Sequence, residues 1–233
     1  MGKNILILCP IYAPYAGGGG QYFPLLVENI LLTNHFQKII VVTEYHKQHN
    51  FIEKEDNLII LRIIPRRDSI ENKSFLYSVL SFLFAYIIIL TIIPILIMYH
   101  RVRIIQFTRY YYLPMFLICF FLKKACKVKT IMDIRTNVEH DKIFRNAFGI
   151  DVFLSMSNNI TKQLKRADIN DSKIVEIPNV IKFEVGLNED VDNNIINKLL
   201  NGSSKKFILF VGQLVERKSI FEVLEAFKLY RRI

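Results

Sequence analysis

The chain has only three cysteines, Cys9, Cys119 and Cys126, spaced for neither a metal site nor a disulfide framework. A reducing compartment is the default expectation. Before Pro10 stand one lysine and the apolar run Ile5 to Cys9, too short for the core of a secretory signal. Leu6 occupies the place where a myristoylation signal carries Ser or Thr. Nothing here asks for export, and a cytoplasmic protein is expected. Zinc-finger and RNP-like signatures are missing as well. The formal charge of +10 is spread over scattered pairs such as Arg66-Arg67, Lys123-Lys124 and Lys205-Lys206, with no dense stripe on one helix. That distribution argues against nucleic acid and leaves an anionic membrane surface or phosphorylated ligands as partners.

The longest absence is of charge itself: residues 75–99 contain none. The segment is long enough to cross a bilayer. Its flanks are equally basic, Arg66, Arg67 and Lys73 before and Arg101 and Arg103 after, so the positive-inside rule assigns no orientation. Strand-like runs lie on both sides of it, and a spanning helix would divide one parallel sheet between two compartments. The expectation is therefore a helix or helix pair, bent near Pro94, partly covering the sheet and partly resting in the membrane interface. A single-pass span through 75–99 is the alternative.

What is present is an alternation of buried strands and helices. Strands are read at 4–9, 39–43, 58–64, 102–107, 129–135, 151–157 and 173–177, several of them closed by proline. Helices are read at 21–34, 113–124, 139–148 and 158–166. This pattern predicts an α/β fold with a doubly wound parallel sheet, whose ligands gather at the carboxyl ends of the strands. Thr108, Asp133, Arg135 and Ser157 all fall there. Residues 1–180 form the first domain on this reading, and 181–205, with a short helix at 191–200, an interdomain connection. Residues 206–233 begin a second domain with a strand at 207–211 and an amphipathic helix at 219–231.

Two loops attract chemistry. Gly17-Gly18-Gly19-Gly20 lies between the first strand and the first helix, where backbone N–H groups and a positive helix end favour an anion. A dinucleotide fingerprint fits poorly, because Phe23 stands where a third glycine is needed and the glycines lie well past the strand end. A Walker A loop is excluded, since no Gly-Lys-Ser/Thr follows. The second loop is Gly212 to Ser219, where Arg217 and Lys218 make a pair suited to a diphosphate.

Four stretches in order resemble a retaining glycosyltransferase of the two-domain GT-B fold, in glycosyltransferase family 4: Pro14 to Gly20, Val152 to Ser157, Ile177-Pro178-Asn179-Val180, and Phe210-Val211-Gly212-Gln213 with Arg217-Lys218. The resemblance implies an N-terminal Rossmann-like, acceptor-side domain followed by only the first strand-helix unit of a second. It implies transfer of a sugar from a nucleotide-sugar donor to a saccharide or lipid-linked acceptor at the inner face of the cytoplasmic membrane, in polysaccharide or cell-surface glycan synthesis. Carried over, Gly19, Gly20, Gln213, Arg217 and Lys218 bind the donor diphosphate. Asp133 and Arg135 stand where the family often has a catalytic His, although a structural salt bridge is an equal reading of that pair. No metal or other cofactor is required when two cations serve the diphosphate. Gln213 replaces an arginine common in the family, and Ser219 a glycine. The rest of a donor domain is absent, so the expectation is a truncated form with little activity alone. A non-catalytic, membrane-spanning α/β binding protein is the reading from another class.

Overall fold

A computed structural model describes residues 3–13, 18–65, 75–108, 112–136, 149–178, 210 and 219–230. The chain divides into two compact units, residues 1–182 and 183–233.

The first unit is built on one eight-stranded sheet. In chain order its strands are β1 (Lys3–Leu8), β2 (Phe36–Glu44), β3 (Ile52–Glu55), β4 (Leu58–Ile64), β5 (Val102–Thr108), β6 (Lys129–Ile134), β7 (Val152–Ser155) and β8 (Ile174–Glu176). They lie in the order β3-β4-β2-β1-β5-β6-β7-β8. Every pairing is parallel except β3 with β4. The sheet is thus the mostly parallel, doubly wound one expected, with one strand more. Sequence periodicity misses β3 because Ile52-Glu53-Lys54-Glu55 is short and largely exposed. Asp56, with φ of 31°, and Asn57 turn it antiparallel onto β4.

Helices cover both faces. The first, α1 (Gly18–Leu32), buries Tyr22, Phe23 and Val27 against Ile5, Ile7, Ile39, Val41 and Ile60. Leu6, Leu8, Ile40 and Val42 point the other way, as the alternation of a strand requires. They join a larger core shared by α2 (Phe75–Tyr99), α3 (Tyr112–Cys126) and α4 (Asn158–Arg166). A short 3₁₀ turn at Asp171–Lys173 precedes β8.

Helix α2 runs uninterrupted through Pro94. Its buried line is Ile89, Ile93 and Ile97, four residues apart on one face. The opposite line, Leu80, Leu83, Ile87, Leu90, Ile95 and Met98, is exposed. Twenty-five residues of helix extend about 37 Å, whereas the seven residues of β5 extend about 23 Å. Helix α2 is long and apolar enough to cross a membrane.

In the second unit, α5 (Ile220–Tyr230) is the helix expected there, and none of its residues is buried. The expected helices at 139–148 and 191–200 and the strand at 207–211 lie outside the described residues.

Candidate functional site

Residues on both sides of β1 determine where a ligand can sit. The chain winds outward from β1 through β2 to β4, then returns by α2 to place β5 on the other flank of β1. The β1/β5 boundary is therefore the switch point, and the crevice outside its carboxyl edge is where such sheets bind ligands.

The register puts a row of polar side chains at that edge. Thr43 pairs with Arg62, and Thr108 pairs with Asp133. Leu8 pairs with both Val42 and Phe107, so Cys9, one residue on, is level with Thr43 and Thr108. The row Arg62, Thr43, Cys9, Thr108, Asp133 thus crosses the five adjacent strand lines β4-β2-β1-β5-β6. All five side chains are buried. They share the α1 face, beyond the apolar rows that α1 covers.

Polar side chains in a dry row must find partners or remain costly. Asp133 is fully partnered. Arg135 grips it through Nε to Oδ1 at 2.7 Å and Nη2 to Oδ2 at 3.3 Å, and Gln106 Nε2 donates to Oδ2 at 3.0 Å. The Arg135 guanidinium lies 3.3 Å from the centroid of the Tyr22 ring, a cation–π contact. Burial, and then the adjacent Asp133 carboxylate, push the Tyr22 phenol well above its ordinary range.

At the other end Arg62 is almost wholly enclosed. Its Nε and Nη2 reach the two oxygens of Glu53 at 3.2 and 3.4 Å, and its guanidinium lies 5.8 Å from the Tyr12 ring centroid. Burial would raise the Glu53 carboxyl, but Arg62 and His49 outweigh it and hold the carboxyl below its ordinary value. Among the described residues Arg62 Nη1 has no hydrogen-bond partner, and the hydroxyls of Thr43 and Thr108 have no nitrogen or oxygen partner, Thr43 having only the Cys9 thiol beside it. Among the described residues four buried side-chain polar atoms lack a partner, and three of them lie on this one row. Clustered unsatisfied groups at a switch point mark a surface prepared for a ligand's hydroxyls or phosphate oxygens. Cys9 is no nucleophile here: burial pushes its thiol far above the ordinary range, although the Thr43 hydroxyl opposes that.

Of the residues singled out by sequence, Asp133 lies in this row and Arg135, just past the end of β6, pairs with it. Their pairing is the salt bridge that the sequence left as one of two readings. Gly19 and Gly20 are not loop residues. With Gly18 they form the first turn of α1, which corrects the expected glycine loop. Glycine takes helical angles as well as turn angles, so the run alone does not place the helix start. The turn is weakly tied nonetheless, because Pro24 has no N–H to offer the Gly20 carbonyl. Ser157 caps α4, its hydroxyl accepting from the Ile160 N–H at 3.4 Å, and takes no place in the row. Gln213, Arg217 and Lys218 lie outside the described residues.

Sequence reading missed Gln106, Tyr22, Tyr12 and the Arg62–Glu53 pair. For Arg62 and Gln106 the signal is positional: each is a polar residue that interrupts an apolar run within three residues of a strand's carboxyl end. Among the described residues no His, Cys, Asp and Glu cluster has metal-binding form.

No protein-family model matches the chain, and no curated protein matches it in sequence. Among solved structures it is similar to the apo form of WaaB, a lipopolysaccharide outer core galactosyltransferase, at 12% identity and TM-score 0.50 over 78% of this chain and 47% of that one. It is also similar to the apo structure of OtsA, at 10% identity and TM-score 0.49, over 77% of this chain and 50% of that chain. A third similar structure is Anabaena HepE in complex with UDP, at 11% identity and TM-score 0.47, over 85% of this chain and 49% of that chain. The chain spans about half the length of each. At these identities the likeness is one of fold: the first unit has the architecture of a Rossmann-like domain of GT-B glycosyltransferases.

Proposed function

We propose that this chain is the acceptor-side half of a glycosyltransferase that moves a sugar from a nucleotide-sugar donor to a saccharide or lipid-linked acceptor. The observation that carries this reading is the row of unpartnered polar atoms, Arg62 Nη1, Thr43 Oγ1 and Thr108 Oγ1, at the switch point of the sheet. Sugars present hydroxyls in both donor and acceptor roles, and a lipid-linked sugar adds phosphate. A guanidinium N–H and two threonine hydroxyls match that chemistry.

In this reading Asp133 is a positioning residue. Its oxygens are occupied by Arg135 and Gln106, so it fixes the guanidinium instead of accepting a proton. Arg135 supplies positive charge at the edge, and Tyr22 holds its plane. The glycine turn of α1 lets a ligand approach the backbone without meeting a side chain. Gln213, Arg217 and Lys218 hold the donor diphosphate by the resemblance stated above. They stabilise charge on the leaving group electrostatically, with the anomeric configuration retained and no metal required.

The exposed line of α2 supports a membrane-resting protein and hence a lipid-linked acceptor in polysaccharide or surface-glycan assembly. Both ends of α2 join strands of the same sheet, and Ile89, Ile93 and Ile97 are buried against that sheet. An in-plane helix on the cytoplasmic face fits this arrangement better than a span.

The test is sugar transfer from a panel of nucleotide sugars to a membrane-lipid fraction. The chain joined to a complete donor domain is expected to transfer sugar, and the 233-residue chain alone very little. Efficient turnover by the chain alone would refute the half-enzyme reading. No transfer by the joined protein with any donor would refute the function.

A further inference from the structure

A cavity of about 730 Å³ opens at the amino edge of the sheet, opposite the row described above. Its wall combines Lys38 of β2, Lys54 of β3 and His100 and Arg101 just after α2, with Asp56 the one carboxylate. Apolar Leu96 and Tyr99 from the last turn of α2 complete its outer side.

Helix-end electrostatics explain part of this arrangement, since cations after a helix C-terminus meet its partial negative charge. They do not explain Lys38 and Lys54, which arrive from two different strands. Among the described residues neither lysine, nor Arg101, forms an ion pair. Asn4 lines the same cavity and holds the His100 backbone in place, its Nδ2 donating to the His100 carbonyl. Burial, followed by the charges of Lys38 and Lys54, lowers the His100 pKa, as a locally positive site requires.

The position decides the ligand class. The exposed apolar line of α2 runs from Leu80 to Met98 and ends at this cavity. Thr91, a polar residue of that outer side, returns its hydroxyl to the Ile87 carbonyl at 2.8 Å, so it does not oppose contact with lipid. A helix lying flat in the interface would bring the cavity to headgroup level.

We propose that this cavity binds the phosphate of an anionic phospholipid headgroup and orients the protein on the membrane. The inference rests on the membrane-resting part of the reading above. The cations take the phosphate oxygens, and Tyr99 lies against the acyl-glycerol boundary as interfacial aromatics do.

The test is vesicle flotation of the whole chain with phosphatidylcholine alone and with phosphatidylcholine containing phosphatidylglycerol. Lys38→Gln/Lys54→Gln should weaken binding to the anionic vesicles roughly 30-fold, from about fivefold per basic residue. Binding to neutral vesicles should not change. A control pair remote from the cavity, Lys47→Gln/Lys162→Gln, should change anionic binding only a few-fold, and circular dichroism checks that every variant is folded. Equal loss in both pairs would mean diffuse attraction and overturn the site while leaving membrane contact intact. No flotation of the unmodified chain on either vesicle would overturn membrane contact and the site together. In a second arm, submicellar dihexanoyl phosphatidylglycerol should shift the His100 ring resonances at concentrations where inorganic phosphate does not. An equal response to inorganic phosphate would reassign the cavity to a free anion and overturn the lipid proposal.

Discussion

Replacing Asp133 by alanine tests how the candidate site is held together. The change removes the hydrogen bonds that Asp133 accepts from Arg135 and Gln106, two of them from a guanidinium, and the one from the Tyr22 phenol. The two nitrogen partners left behind differ in what they can recover. Arg135 is 17% exposed and keeps its contact with Tyr22, so it can turn toward water and regain much of its solvation. Gln106 is buried and keeps only the Tyr22 phenol oxygen beside it, so the lost bond costs about 1–3 kcal/mol. With the lost charge-assisted bonds, the net destabilisation should be about 3 kcal/mol. For a unit of 182 residues this corresponds to a fall in Tm of roughly 6–12 °C. Asp133→Asn retains an acceptor oxygen and should cost about half as much. Thermal unfolding followed by circular dichroism, with the Asp133→Ala/Arg135→Ala double variant, completes the cycle. The double variant should be less destabilised than the sum of the singles by about 1–2 kcal/mol. A Tm for Asp133→Ala within 1 °C of the parent, a shift below about 0.5 kcal/mol, would refute the claim that Asp133 anchors Arg135.

Three further outcomes follow from the same structure. Gly20→Ala should stabilise the fold by up to about 1 kcal/mol and so raise Tm slightly, because glycine weakens a helix; Gly20→Val should suppress transfer in the two-domain enzyme, and undiminished transfer would remove the glycine turn from the site. Burial alone would raise the Asp151 carboxyl, but Lys123 at 2.6 Å and the Thr130 N–H and hydroxyl overcome this and lower it. A lowered folded pKa gives stability that is complete above the unfolded value near 3.9 and is lost as pH falls through the folded value; Asp151→Asn should therefore flatten the loss of Tm below about pH 4. Leu83→Asp on the exposed line of α2 should leave stability within about 0.5 kcal/mol of the parent yet reduce flotation on neutral and anionic vesicles alike; unchanged flotation would exclude that face from lipid.

The parallel strands were legible because they are short apolar runs, several of them stopped by proline or a charged residue, a pattern that depends only on local sequence. The Asp133–Arg135 pair was legible for the same reason: two charges at the end of an apolar strand are conspicuous. Arg62 was not, because its role comes from Glu53 on β3, and β3 exists only as a partner for β4. Gln106 and Thr108 read as ordinary strand residues until the order β1-β5-β6 sets them beside Cys9 and Asp133. Tyr22 was hidden by the glycines, since its reach to Arg135 depends on α1 starting at Gly18, a choice that the glycine backbone leaves open. Long-range register, which no local pattern encodes, assembled the row.

That row is the centre of the account, and Thr43→Val/Thr108→Val probes it directly. The substitution keeps the shape and removes two buried hydroxyls that, among the described residues, have no nitrogen or oxygen partner. It should leave Tm unchanged or raise it by a few degrees, because unpaired buried hydroxyls are costly. In the two-domain enzyme, sugar transfer to the membrane-lipid fraction should nevertheless fall at least tenfold. Full transfer by the double variant, or a loss of transfer that only follows a loss of folded protein, would contradict the assignment of this row as the acceptor wall.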